Sequence, residues 1–288
     1  MSTEKRNENF MLKQSRYSKG KKNVKQYSKN NASKKSGSGK NSYNAYYKKN
    51  DDGFQPKSNG KSNYGKKKYP SKSKGYPKKN AQKPSIKIAF LGGLNEIGKN
   101  ITLVECENDI IIIDCGMAFP DGDMLGVDLV IPDFTYIEQN ADRVKGIILT
   151  HGHEDHIGGL PFLLSKVNVP IYGTPLTLGL VGNKLKEHSL YNQSQLNVIN
   201  AGQSIKLGCM KIDFIHVNHS IPDAVAFAIH TPGGTIVHTG DFKIDCTPIT
   251  GDMIDLSSFA RVGDEGVLAL LSESTNAERP GYTLTERT

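Results

Sequence analysis

The sequence is poor in three features, each of which would place the protein in a particular class. It has only four cysteines and no Cys-x-x-Cys pair, so no disulfide framework is predicted. Residues 1–40 contain no apolar segment of the kind that a secretory signal needs. No run approaches the roughly 20 apolar residues that span a bilayer. We therefore expect a soluble, cytoplasmic protein with reduced cysteines and no membrane-embedded part.

Charge is distributed very unevenly. Residues 1–83 contain 24 Lys and Arg against 4 Asp and Glu, a net charge of +20, whereas the remainder contains 13 against 25, a net charge of −12. The first part is a low-complexity mixture of Lys, Asn, Ser, Gly and Tyr with little apolar surface to bury, so we expect a disordered tail.

The basic tail has a composition that suits RNA. Eight of the twelve tyrosines lie within residues 1–83, interleaved with the lysines. Basic side chains attract phosphates and aromatic rings stack on bases. Acidic proteins, a membrane surface or no ligand at all remain alternatives, because charge alone does not select the partner.

From Pro84 onwards the pattern predicts a folded domain. Strands are predicted at 86–91, 101–106, 110–113, 144–150, 170–173, 196–200, 204–207, 211–217, 224–230 and 235–238, and helices at 134–142, 160–164 and 175–186. Successive strands joined by short turns favour a β-rich sheet over strict alternation of strands and helices.

Residues 151–159 carry the strongest chemical pattern. His151, His153 and His156 lie within six residues together with Glu154 and Asp155, directly after an apolar strand. Burying so many polar groups without partners would be costly. Imidazoles and carboxylates are ligands that zinc and manganese accept. A strand, a metal-binding loop and a helix are therefore predicted here, and a merely histidine-rich polar loop is the weaker alternative.

Further candidate ligands follow other predicted strands. His219 could join His151 and His153 around one metal ion, and three imidazoles leave a position open for water, as in catalytic zinc sites. Asp155 and His156 would serve a second ion, with Asp241 as the bridging carboxylate. Two ions can share a hydroxide nucleophile and stabilise displacement at phosphorus. Asp114 is predicted to anchor the loop by hydrogen bonds rather than to bind metal.

These motifs carry a family resemblance. The segment His151-x-His153-x-Asp155-His156, with His219 and Asp241, resembles the metallo-β-lactamase superfamily. Residues 91–100, 219–223, 239–243 and 273–281 narrow the likeness to the ribonuclease J family of β-CASP nucleases. The resemblance covers about residues 85–288, and the tail has no specific match.

The resemblance implies a fold and a division of the chain. The implied fold class is α+β, an αββα sandwich that is incomplete in this chain and preceded by the disordered basic tail. Residues 84–271 would form the N-terminal part of the metallo-β-lactamase domain, and 272–288 the truncated start of a β-CASP domain. The family's further metal-binding histidine would follow Thr288, so residues 1–288 by themselves are expected to be nearly inactive and poorly stable.

The resemblance also implies an activity. His151, His153 and His219 would hold one ion, and Asp155 and His156 the second, with Asp241 between them. Two divalent ions, zinc by default or manganese, would support 5′-to-3′ exonuclease and endonuclease activity on RNA in mRNA decay and rRNA maturation. Asp155, His156 and Asp241 would be the catalytic residues, in a homodimer or homotetramer that meets other RNA-decay proteins. The alternatives are a non-catalytic RNA- or partner-binding protein and, more weakly, a thioester or lactone hydrolase.

Overall fold

The structure is a computed structural model that describes residues 83–285 and residue 287. The basic tail predicted for residues 1–83 therefore lies outside the described residues, except for Lys83. No helix in the described part of the chain is both long enough and apolar enough to cross a lipid bilayer. All four cysteines lie in this part, and each is a free thiol.

The first sheet has six strands, hydrogen-bonded in chain order. They are β1 (Ile86–Gly92), β2 (Ile101–Cys106), β3 (Asp109–Ile113), β4 (Val144–Ile148), β5 (Ile171–Gly173) and β6 (Leu196–Val198). The first three are antiparallel, and β3 to β6 run parallel. The short turn between β2 and β3 fits the predicted hairpin-linked strands, and the connections from β3 to β6 carry helices, as predicted at 134–142, 160–164 and 175–186.

Four helices belong to those connections. They are α1 (Thr135–Gln139), α2 (Glu154–Ile157), α3 (Leu160–Leu164) and α4 (Pro175–Glu187). Pro161 and Pro175 stand at the first turns of α3 and α4, where a missing backbone N–H removes no helical hydrogen bond.

The second sheet has five strands in the order β11-β10-β9-β8-β7. They are β7 (Ser204–Leu207), β8 (Met210–His216), β9 (Val225–Thr231), β10 (Gly234–His238) and β11 (Ala269–Leu271), and α5 (Leu256–Glu265) precedes the last. Its strands are antiparallel except for the parallel pair of β10 and β11. The sequence did not lead us to expect α5 or β11.

Three apolar layers hold these elements together. Residues of β3 and β9 such as Ile111 and Phe227 pack between the two sheets. On the outer face of the first sheet, Leu103 packs with helical residues such as Val181. On the outer face of the second, Val237 of β10 packs with Val262 of α5. Helix, sheet, sheet and helix therefore stack in that order, which confirms the predicted αββα architecture.

Candidate metal centre

β4 ends at Ile148, and two residues, Leu149 and Thr150, separate it from the metal-binding loop, which begins at His151. Thr150 and His151 are fully buried, and the backbone carbonyl of Thr150 accepts a hydrogen bond of 2.9 Å from the N–H of Val225 in β9. The loop is thus tied to both sheets. His153 is the N-terminal flanking residue of α2, and His156 lies buried within that helix.

His219 reaches the loop from the connection between β8 and β9. That connection is fixed to the start of α4, because the side chain of Thr174 donates to the carbonyl oxygen of Asp223 at 2.9 Å. The N–H of Leu176 also donates to the carboxylate of Asp223 at 3.2 Å. His219 is therefore presented by a connection with defined anchors.

Three imidazoles converge at one point. The Nε2 atom of His151 lies 3.1 Å from Nδ1 of His153, and that Nδ1 atom lies 3.2 Å from Nε2 of His219. One nitrogen of each ring falls within 4.8 Å of the others. Two nitrogens bound at about 2.0–2.1 Å to a tetrahedral ion are about 3.3 Å apart, so this donor set fits a zinc-like ion.

A second group overlaps the first. The ligand atoms of His151, His156 and Asp241 also lie within 4.8 Å of one another. Oδ1 of Asp241 is 3.5 Å from Nε2 of His156, while Oδ2 is 3.8 Å from Nε2 of His219. The two oxygens of Asp241 therefore face different imidazoles, an arrangement in which one carboxylate can serve two cations. Asp155 lies beside this group, with Oδ2 3.5 Å from Nε2 of His156.

Asp114 makes the hydrogen bonds that would anchor the loop. It directly follows β3 with a left-handed backbone (φ 59°), and its carboxylate is buried. Oδ1 accepts from the N–H of Thr150 at 2.8 Å, and Oδ2 lies 2.8 Å from Nδ1 of His156. His156 thereby directs Nε2 towards Asp241, as a carboxylate paired with a metal-binding histidine commonly does.

Thr150 also makes contacts that the sequence analysis missed. Its hydroxyl donates to Oδ2 of Asp114 at 2.7 Å and lies 3.0 Å from Nδ1 of His151. Since a hydroxyl has one proton, its oxygen is left to accept from Nδ1–H of His151. That tautomer leaves Nε2 of His151 free towards His153.

The electrostatics of the centre suit a cation. Burial and then the neighbouring His156 lower the pKa of His151 to about 2, so that ring is neutral. Burial opposes the charge of Asp241, but the hydrogen bond and charge of His156 outweigh it and lower the pKa of Asp241 to about 2. Burial also opposes the charge of His156, but Asp114 and then Asp241 raise its pKa to about 10. A neutral His151 and an ionised Asp241 are the forms in which these side chains can bind a cation.

A cavity of about 300 Å³ opens beside this centre. His156 and Asp241 line one side of it, with Asn100, His238 and Glu273 among the other lining residues. A substrate group that entered the cavity would reach the overlapping donors.

The comparisons with known proteins agree with this geometry. A family model described as the metallo-beta-lactamase superfamily matches residues 94–270. Ribonuclease J 1 of Streptococcus pyogenes serotype M3 is 50% identical over 202 residues, which are 70% of this chain and 36% of that protein. Ribonuclease J2 of Bacillus subtilis is 47% identical over 209 residues, 73% of this chain and 37% of the relative. Ribonuclease J of Helicobacter pylori strain 26695 is 48% identical over 207 residues, 72% of this chain and 30% of the relative. The chain thus spans about a third of the length of these curated relatives.

Proposed function

The chain belongs to the metallo-β-lactamase superfamily and is homologous to ribonuclease J, and from this premise we propose that it is a two-metal ribonuclease. The observation that carries the proposal is the pair of overlapping donor groups that share His151, with the two oxygens of Asp241 turned to different imidazoles. His151, His153 and His219 would hold one ion. Asp155 and His156 would hold the other, with Asp241 between them.

Each residue has a definite task in this proposal. When bound, two divalent ions would activate a water molecule for attack on phosphorus and neutralise charge on the phosphodiester, whose 3′-oxygen leaves. Asp241 is ionised and oriented between the two groups. Asp114 and Thr150 hold His156 and His151 in the tautomers that present Nε2 to the centre. Zinc fits the imidazole-rich group, and manganese is the alternative where carboxylates are added.

The remaining predictions carry over as parts of the same proposal. Residues 84–271 would be a part of the metallo-β-lactamase domain, and 272–288 would begin a β-CASP domain. The protein would act in the cytoplasm as a 5′-to-3′ exonuclease with endonuclease activity, as a homodimer or homotetramer. These statements are supported by the similarity to ribonucleases J and not by the geometry of the centre.

The test uses the complete reading frame that contains these residues. Metal content is measured first, and then cleavage of 5′-monophosphorylated and 5′-triphosphorylated single-stranded RNA, with and without a chelator. We expect metal-dependent cleavage that Asp155→Ala and His156→Ala abolish, while the same proteins remain folded by circular dichroism. Cleavage that persists unchanged in both variants would show that the assigned mechanism is wrong. Hydrolysis of thioesters or lactones with no action on RNA would favour the other activity of this fold.

The basic tail supports RNA as the partner by its charge. A protein that neutralises phosphates loses affinity with a log–log salt slope of about −0.7 per contact on single strands. Removal of residues 1–82 should therefore weaken RNA binding at low salt and flatten that slope, as measured by fluorescence anisotropy. If removal of residues 1–82 changed neither the affinity for RNA nor the salt slope, the tail would have no part in RNA binding.

A further inference from the structure

The segment of residues 93–100, between β1 and β2, lies against the metal-binding loop. Its backbone is held by local contacts. The side chain of Glu96 accepts from the N–H of Gly93 at 3.0 Å and pairs with Lys99 at 3.1 Å. Lys99 itself has a left-handed backbone (φ 53°), and its N–H donates to the carbonyl oxygen of Met117 at 3.0 Å. The segment therefore delivers the next residue, Asn100, to a defined place.

The backbone of Asn100 joins two other segments. Its N–H donates to the carbonyl oxygen of Asp155 at 3.0 Å, and its own carbonyl accepts from the N–H of Gly116 at 2.9 Å. A side chain at Gly116 would not fit, because a Cβ there would lie 1.6 Å from the carbonyl oxygen of Asp155. Three segments distant in sequence are thus packed backbone to backbone beneath the centre.

The side-chain amide of Asn100 faces the residues assigned to the second ion. Its Nδ2 atom lies 3.1 Å from the carbonyl oxygen of Asp155 and 3.3 Å from Oδ2 of the same residue. It also lies 3.2 Å from Nε2 of His156. Two of these three atoms can only accept hydrogen bonds, so the amide nitrogen, and not its oxygen, must point towards them.

We propose that Asn100 is a positioning residue for the second metal position, whose side-chain amide holds the carboxylate of Asp155 beside Nε2 of His156. The inference rests on the proposed metal centre and extends it. The amide donates a hydrogen bond to the carboxylate of Asp155 and lies 3.2 Å from Nε2 of His156. When that nitrogen binds an ion, the amide keeps its hydrogen bonds to Asp155, the kind of outer contact that orients a ligating carboxylate.

Metal titration of Asn100→Ala tests the proposal without reliance on catalysis. The metal-free protein, made from the complete reading frame that contains these residues, is titrated with Co²⁺, with visible absorption as the readout of ligand geometry, and with Zn²⁺ by calorimetry. We expect the dissociation constant of the second equivalent to rise about 10- to 100-fold and that of the first to stay within about twofold. The absorption bands of the second Co²⁺ should change shape while those of the first do not.

The matched control is Asn108→Ala, the same substitution at an exposed position in the turn between β2 and β3. It should leave both equivalents unchanged. Asn100→Ser, which removes the amide with less disturbance of packing, replaces Asn100→Ala if that variant does not fold, and it too should weaken the second equivalent selectively.

Three results would overturn the assignment. The first is an equal affinity for the second equivalent in the variant and the parent protein. The second is a parallel weakening of both equivalents with a lowered melting temperature. The third is a complete parent protein that binds only one equivalent. The failure of this inference is distinguishable from that of the proposed function. If the second equivalent binds more weakly to Asn100→Ala but the parent protein does not cleave RNA, the proposed function fails and the role of Asn100 stands. If the parent protein cleaves RNA but Asn100→Ala binds the second equivalent unchanged, the function stands and the role of Asn100 fails.

Discussion

The Nδ1 atom of His156 lies 2.8 Å from Oδ2 of Asp114, and both side chains are buried. The two residues are 42 positions apart. Asp114 directly follows β3, and His156 lies in α2. This contact decides which nitrogen of His156 faces the centre. It also explains why Asp114, which is not one of the candidate ligands, matters to the site.

Asp114→Asn should therefore weaken metal binding without unfolding the protein. Asparagine has the same size and tolerates the left-handed backbone at this position, but it cannot support the charge or the tautomer of His156. We expect the affinity for Zn²⁺ to fall about 10- to 100-fold, measured by competition with a chromophoric chelator. The matched control is Asp213→Asn, which alters the 3.0 Å pair of Asp213 with His230 on the second sheet. An equal loss in both variants would contradict the specific role of Asp114.

Thr150→Val should destabilise the metal-free protein. The substitution keeps the shape of the side chain but removes the hydroxyl that lies between Asp114 and His151. Because a buried carboxylate and a buried ring nitrogen each lose a partner, we expect the free energy of unfolding to fall by about 1–3 kcal/mol. Urea denaturation measures this change. Thr150→Ser retains the hydroxyl and should keep most of the stability, so equal losses in the two variants would argue against the hydrogen bonds as the cause.

The sequence located the candidate ligands because each belongs to a short pattern that follows an apolar strand. His151, His153 and His156 lie within six residues after β4, and Asp241 closely follows β10. The contacts of Asn100 and Thr150 could not be predicted in this way. An amide or a hydroxyl is common in any sequence, and the contact of Asn100 is with a residue 55 positions away. The motif at residues 91–100 marked the segment, but only the fold shows what its last residue touches.

The pairing of strands was likewise only partly predictable. Apolar patterns located β1 to β10 within a few residues, since the pattern depends on burial alone. They did not distinguish the antiparallel pairing of β2 and β3 from the parallel pairing of β3 and β4, because both leave β3 buried on two faces. The helix α5 buries only Ser258 and Val262, so its apolar pattern is short.

Asp255 should stabilise α5 in a pH-dependent way. Its carboxylate accepts from the N–H of Ser258 at the start of the helix, and the hydroxyls of Ser257 and Ser258 also donate to it. Those hydroxyl bonds, led by Ser257, lower the pKa of Asp255 to about 2 from 3.8. A group whose pKa is depressed on folding stabilises the protein above its unfolded pKa, and that stabilisation is lost as the pH falls towards the folded value.

Asp255→Ala should accordingly cost about 0.5–2 kcal/mol at pH 7, and the difference from the parent should shrink as the pH falls from about 4 to about 2. Urea denaturation over this pH series measures it. Asp264→Ala, near the end of the same helix and exposed, is the control and should show no such loss. A difference that stays constant down to pH 2 would mean that the ionised cap is not the source of the stability.

Gly116→Ala tests how closely the metal-binding loop is packed. A Cβ at Gly116 would lie 1.6 Å from the carbonyl oxygen of Asp155 and 2.9 Å from the backbone nitrogen of Asn100. Both neighbours are backbone atoms, so relief requires movement of α2 away from β3. We expect the free energy of unfolding to fall by about 1–3 kcal/mol or more, since overpacking at a close backbone contact forces shifts. The second metal equivalent should also bind more weakly, because Asp155 and His156 move with the helix.

Gly122→Ala is the control, because nothing lies within 4 Å of its added Cβ, and its stability should stay within about 0.5 kcal/mol of the parent. If Gly116→Ala were as stable as Gly122→Ala and bound both equivalents normally, the loop would have to be free to move, and the backbone contacts beneath the centre could not be what fixes its geometry.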